Sequence, residues 1–187
     1  MRSTLPGWSL RLIAELDTAD RRAAAVVENL TSEQLNWQPR QGAWSIGQCL
    51  DHLRASNETL VPVLALALVG RQPKRVDELE LGAISRWFIR SYIAPNPRTR
   101  ARAPRKIVPA SRVDHSVLDA LVRSNNGARE LIRRASDYDV NRIRYRNPYI
   151  PIIYFTVATG LEITAQHPRR HLLQAENVRR APGFPEG

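Results

Sequence analysis

Apolar residues return at alternating spacings of four and three through Leu12, Leu16, Ala19, Ala23, Val26 and Leu30. An α-helix, with 3.6 residues per turn, lines such positions up as one core-facing seam, whereas a strand alternates every second residue. The spacing predicts a helix over 8–30, stopped upstream by Pro6 and Gly7. A helix with one apolar seam must bury it against other helices or a sheet. Three further segments of similar length offer such faces.

The second helix opens at Ser45, where Ser45 and Gln48 three residues on form a capping-box pattern. Ile46, Leu50, Leu53, Leu60, Val61 and Leu64 form its apolar face, and Gly70 ends it. Pro62 lies inside and is expected to mark a kink or a join, since its ring clashes with the carbonyl four residues earlier. A third helix is predicted over 113–136. Asn125 falls on its buried seam and so needs a hydrogen-bond partner. A fourth is predicted over 152–180, after an irregular stretch over 137–151. Between the first and second helices, residues 30–35 read as a helix exit and a short further turn, and 37–42 as a loop.

Residues 71–112 are of a different kind. A short helix fits within 76–93, carrying Leu79, Leu81, Ile84, Trp87, Phe88 and Ile93. Pro95, Pro97, Pro104 and Pro109 then break any regular element. Arg98, Arg100, Arg102, Arg105, Lys106 and Arg112 make this part strongly basic. It reads first as a mobile, solvated crossover, and second as an arm that grips an anion or a partner chain. The expected fold is all-α: one domain over 1–187, a four-helix bundle with a long crossover between the second and third long helices.

Composition narrows the function classes. Hydrophobic residues make up 43% of the chain, ordinary for a globular protein, and no apolar run is long enough to span a bilayer. The single cysteine excludes an internal disulfide and, with no signal-peptide core at the start, leads to the expectation of a cytoplasmic protein. The net charge of +10 comes mostly from scattered arginines with little aromatic interleaving, so nucleic acid is not the expected partner.

The chemistry concentrates in histidine. His167 and His171 are spaced i and i+4, on one helical face, so that two imidazoles can reach one divalent metal. The best third donor is His52, which shares a stripe of small or polar residues with Ser45, Gln48, Ser56 and Thr59. Taken by itself, His52 reads as a structural histidine; its weight as a ligand rests on the pair. His115 reads as a surface or capping residue, and Cys49 as a small buried one. Gly160 and Thr164 are expected to leave open space below the pair. Pro168 follows His167 directly, so the helix either kinks there or restarts, and a kink is expected. No Asp or Glu shares the stripe of the pair, and Asp51 points about 100° away from His52.

Two stretches resemble the signature of the DinB-like superfamily. One is Trp44-Ser45-Ile46-Gly47-Gln48-x-Leu50-x-His52-Leu53, and the other is His167-x-x-Arg170-His171-Leu172-x-Gln174. That superfamily includes bacterial thiol-dependent S-transferases of the bacillithiol and mycothiol type. The resemblance implies a four-helix bundle, expected as a homodimer, with a divalent metal held by His52, His167 and His171. Zinc and nickel both suit such a donor set. Gln174 is implied as a hydrogen-bonding neighbour of the ligands. The implied function is transfer of a low-molecular-weight thiol to an electrophile in detoxification or stress response, with a small-molecule substrate. A metal-dependent hydrolase on the same three histidines is the alternative, and a non-catalytic stress-related binding bundle is another.

Overall fold

The computed structural model describes residues 4–95 and 102–186. Four long helices form the bundle: α1 (Gly7–Val27), α3 (Ile46–Ala67), α5 (Ser116–Ala135) and α6 (Val157–Arg179). Both α1 and α3 pack along α5 and α6, so α1 and α3 lie diagonally across the bundle. The seam of α1 is buried as its spacing requires, through Leu12, Leu16, Ala19, Ala23 and Val26. The helix ends at Val27 rather than 30 because Asn29 takes a left-handed conformation, φ 58°. Asparagine tolerates that region better than most residues. Leu30 still packs into the core beyond the turn.

Helix α2 (Ser32–Asn36) and α3 each begin with a complete capping box. In α3 the Ser45 Oγ accepts from the Gln48 amide at 3.1 Å, and Gln48 Oε1 accepts from the Ser45 amide at 3.1 Å. The helix then runs without interruption through Pro62, so that proline does not mark a join. Gly70, with φ 71°, turns the chain out of it.

A layer of buried polar groups ties three helices together. Asn57 Nδ2 donates to Asn125 Oδ1 at 2.7 Å, and Asn125 Nδ2 donates to Asp20 Oδ1 at 2.6 Å. Arg129, also buried, holds Asp17 at 2.8 Å and Asp20. The partner that Asn125 needed is therefore present on both sides of its amide.

Three expectations change. The 71–112 crossover is exposed over most of its described residues, as expected, but it is also anchored to the bundle. Val76 accepts from the Trp8 indole at 3.0 Å, and Asp51 Oδ2 accepts from the Ala110 amide at 2.9 Å. Within it, α4 (Ala83–Phe88) continues as a π-helical turn over Ile89–Ile93, and Ile89, Ile93 and Ile107 are buried. Arg98 and Arg100 of the basic arm, with Pro97, lie outside the described residues. Second, α5 starts three residues late. Asn36 clamps the Val113 backbone through both its amide and its carbonyl, at 2.9 and 2.8 Å.

Third, residues 144–156 form a small antiparallel hairpin, β1 (Arg144–Arg146) with β2 (Tyr154–Thr156), in a register that pairs Tyr145 with Phe155. Tyr145 and Phe155 turn inward onto the core, and their exposed neighbours alternate outward. Helix α6 consequently begins at Val157 rather than 152, capped by Thr156 Oγ1 accepting from the Thr159 amide at 3.3 Å. No helix is long and apolar enough to cross a membrane among the described residues.

Candidate metal centre

His52 stands on α3, two turns past the Ser45 cap, and His167 and His171 stand one turn apart on α6. The two helices pack side by side, which brings the three rings together. One nitrogen from each lies within 4.8 Å of the others, and all three residues are buried. The Nε2 atoms of His167 and His171 are 3.1 Å apart. Helix α6 passes unbroken through Pro168, so His167 keeps its helical orientation and does not become the cap of a new helix.

The other nitrogen of each ring is held. His52 Nδ1 lies 2.7 Å from the Ile107 carbonyl, which can only accept. The proton of His52 therefore sits on Nδ1, and Nε2 presents a lone pair. His171 Nδ1 lies 3.2 Å from Gln174 Oε1, an acceptor that favours the same tautomer. His167 Nδ1 meets the Ser56 hydroxyl at 3.3 Å. Trp44 packs its indole over two of the rings, with centroids 4.7 Å from His52 and 5.5 Å from His171.

Burial sets the charge state. Loss of hydration pushes the His167 pKa down to about 3, with the positive charge of Arg170, and that of His52 once protonated, acting in the same sense. Burial likewise takes His171 well below its ordinary range, helped by His167, His52 and Arg170. His52 is also lowered by burial, against the opposing pull of its bond to Ile107. At neutral pH all three are neutral imidazoles, the form that binds metals.

These residues fit a divalent ion. Nitrogens at 2.0–2.1 Å from one ion, with angles between octahedral and tetrahedral, stand roughly 3.0–3.4 Å apart. The 3.1 Å pair meets this already, and a modest inward shift brings in the third ring. The donor set of three imidazoles with no thiolate or carboxylate is one that zinc and nickel accept. Held Nδ1 atoms are what oriented metal-binding histidines require.

A cavity of about 420 Å³ opens onto the three rings, lined mostly by aromatic and aliphatic side chains. Any ion held there would keep an open position toward it, as in catalytic rather than structural sites. The room does not come from Gly160 and Thr164 as expected. A Cβ at Gly160 would meet Leu64 Cδ2 at 2.4 Å, so that glycine serves close helix packing. Space is opened instead on the side of Ser56, Tyr149 and the crossover. Among the described residues no carboxylate lines the cavity. Asp51 is turned to Arg54 and the Ala110 amide, and buried Glu162 pairs with Arg11 at 2.7 Å. Cys49 is wholly buried, its thiol held protonated by burial, and it is not among the converging donors. His115 is exposed at the start of α5.

The residues that pattern did not single out are Ser56 as a partner of His167, the Ile107 carbonyl and Arg170. Ser56 had a signal, one turn after His52 on the same stripe; the carbonyl, being backbone, had none.

The sequence model of one family, the DinB superfamily, matches residues 15–175. No curated protein matches the chain. Among solved structures, YfiT from Bacillus subtilis, described as a probable metal-dependent hydrolase with an unusual four-helix bundle topology, matches with a TM-score of 0.62. It is 16% identical, and the match covers 99% of this chain and 93% of that one. At that identity the likeness speaks for the fold.

Proposed function

Because the chain belongs to the DinB superfamily, we propose that His52, His167 and His171 hold a divalent ion and that the protein is a metal-dependent enzyme. The observation that carries this is the convergence of three buried, neutral imidazoles on one point at the floor of a cavity. Neutral rings bind the ion without first losing protons, so affinity should persist well below neutral pH. A bound ion supplies a Lewis acid that lowers the pKa of a thiol or water placed beside it.

The reaction we favour is transfer of a low-molecular-weight thiol to an electrophile. The sulfur–carbon bond forms as the bond to the leaving group breaks, and the thiol proton passes to solvent. This route needs no protein base, which suits a cavity without a carboxylate among the described residues. The Ile107 carbonyl and Gln174 fix the rings, while Trp44 and the apolar walls keep water from the reacting atoms. Hydrolysis at the same three histidines is the second reading, favoured by the likeness in fold to YfiT. It would have to find its proton acceptor outside the lining described.

The test is an assay of zinc- or nickel-loaded protein with several cellular thiols and a reactive aryl halide, beside an ester and an amide substrate. Thiol conjugation that disappears in His171→Ala supports the first reading. Turnover of ester or amide without conjugation moves the assignment to hydrolysis, and inactivity of the loaded protein in every arm leaves a non-catalytic binding bundle.

A further inference from the structure

The hairpin before α6 brings to the cavity wall a buried side-chain group with nothing to bond among the described residues. Along β1 and just beyond it, Ile143, Tyr145 and Asn147 are buried while Arg144 and Arg146 are exposed, so every second residue faces inward. Tyr145 and Asn147 both line the cavity above the histidines. The Tyr145 hydroxyl is buried and has no hydrogen-bond partner among the described residues. Burial raises its pKa, so it remains an O–H donor. Asn147 Oδ1 is occupied, since it accepts from the amides of Tyr149 and Ile150 at 2.8 and 2.9 Å. What Asn147 can still offer is the N–H pair of Nδ2. Arg170 on the same wall, by contrast, already has partners, the carbonyls of Tyr92 and Ala94 among them. The Tyr145 ring lies close against α6. A Cβ at Gly160 would come 3.0 Å from its Cε1, so the glycine is what admits the ring there. Packing alone would be served by a phenylalanine at this place. A buried hydroxyl left unbonded costs stability, and one in a native fold calls for an explanation. A water would need several polar partners, which this largely apolar wall does not supply.

We propose that this cavity takes an apolar molecule bearing a carbonyl oxygen, and that the Tyr145 hydroxyl donates to that oxygen, with the Asn147 amide as a second donor on the same face of the hairpin. The proposal names the class of electrophile for the reaction proposed above and rests on that reading for its chemistry, while the binding itself stands on the cavity alone. A carbonyl oxygen only accepts, which complements a hydroxyl and an amide N–H that lack an acceptor. The volume falls within the roughly 300–1,000 Å³ typical of small-molecule sites. Trp87, Phe88, Ile150 and Ile163 supply apolar surface for the body of the molecule. A hydrogen bond to the oxygen also polarises the molecule toward attack by a thiol. An analogue without the oxygen would leave the hydroxyl unbonded, so the site tells a ketone from the matching hydrocarbon.

The probe is 6-propionyl-2-(dimethylamino)naphthalene, whose emission moves to shorter wavelength when its ketone oxygen loses a hydrogen bond. Its control is 6-propyl-2-(dimethylamino)naphthalene, the same body with a methylene in place of the carbonyl. Both are titrated into the full-length protein as purified and into Tyr145→Phe. The ketone should bind the wild-type protein at one site per chain. Tyr145→Phe should weaken it by about tenfold, the loss of one hydrogen bond, and move the emission of the bound ketone to the blue. The hydrocarbon should bind both proteins alike. Without ligand, the urea midpoint of Tyr145→Phe should equal or exceed that of the wild type, because the hydroxyl it removes has no bond to lose. No binding of the ketone, equal ketone affinity in the two proteins, or equal loss of both probes overturns the proposal. A clear fall in the midpoint also overturns it, since the hydroxyl would then have its partner within the protein. Metal content is measured on the same samples. Ketone binding that depends on Tyr145 in a protein that takes up no metal upholds the carbonyl site and removes the metal reading. Metal uptake with ketone binding indifferent to Tyr145 removes the carbonyl site alone.

Discussion

Acidification of the metal-free protein should reveal the histidine cluster as a loss of stability well above the carboxylate range. The sign follows from burial. In the unfolded chain each histidine titrates near 6.5. In the folded protein His167 is pushed down to about 3, and His52 and His171 are lowered too. As pH falls through 6.5 the unfolded state takes up protons that the folded state refuses, so stability falls with pH. The loss continues until the folded-state pKa is reached. Between pH 7.5 and 5, His167 alone should cost about 2 kcal/mol, because the shift spans the whole of that window below 6.5. His52 and His171 add to the loss in the same direction. Urea unfolding of the stripped protein at several pH values measures it, read from the midpoint at constant slope. His167→Gln should remove its share of the pH dependence. A midpoint flat from pH 7.5 to 5 in the stripped wild-type protein would refute the reasoning, since the three rings would then be hydrated or already partnered by charge. Excess zinc should raise the midpoint at neutral pH, and that gain should persist on mild acidification, because His167 stays neutral in the folded chain down to about pH 3.

Other perturbations test the frame around the site. Gly160→Ala places a Cβ 2.4 Å from Leu64 Cδ2 and 3.0 Å from Tyr145 Cε1. Overpacking of roughly 1–3 kcal/mol should outweigh a helix-propensity gain of about 1 kcal/mol, lowering the urea midpoint; a rise would mean the position is open after all. Arg129→Met removes the cation that holds Asp17 and Asp20 and should destabilise by about 2 kcal/mol in the same assay. It should leave metal content intact, since none of these residues is a ligand candidate.

The bundle was legible because its signals are repetitive. The 12, 16, 19, 23, 26 seam and the Ser45–Gln48 capping box each repeat a local rule that packing does not override. The three histidines were legible because two lie one turn apart on a helix and the third lies two turns into the neighbouring one, at a place a family signature marks. What escaped depends on single contacts. The strands at 144–146 and 154–156 are three residues each, too short for alternation to show, and Pro148 and Pro151 between them read as irregular chain. The anchoring of the crossover escaped because its proline and arginine content says nothing of Asp51 and Gln48 reaching out to Ala110. Gly160 misled because a glycine that leaves room and a glycine that admits a neighbour look alike in sequence; only the position of Leu64 separates them. The buried course of α6 through Pro168 was likewise decided by packing, with Pro168 itself covered by the bundle.

The central claim is that His52, His167 and His171 act together as one ion's ligands. The most direct measurement is the metal content, by plasma mass spectrometry, of protein purified without a histidine tag and dialysed against dilute zinc or nickel. About one divalent ion per chain is the expected result for a site of this type, falling to background in His171→Ala while the helical circular dichroism is unchanged. A wild-type protein that stays metal-free, or a His171→Ala protein that keeps its full complement, would contradict it.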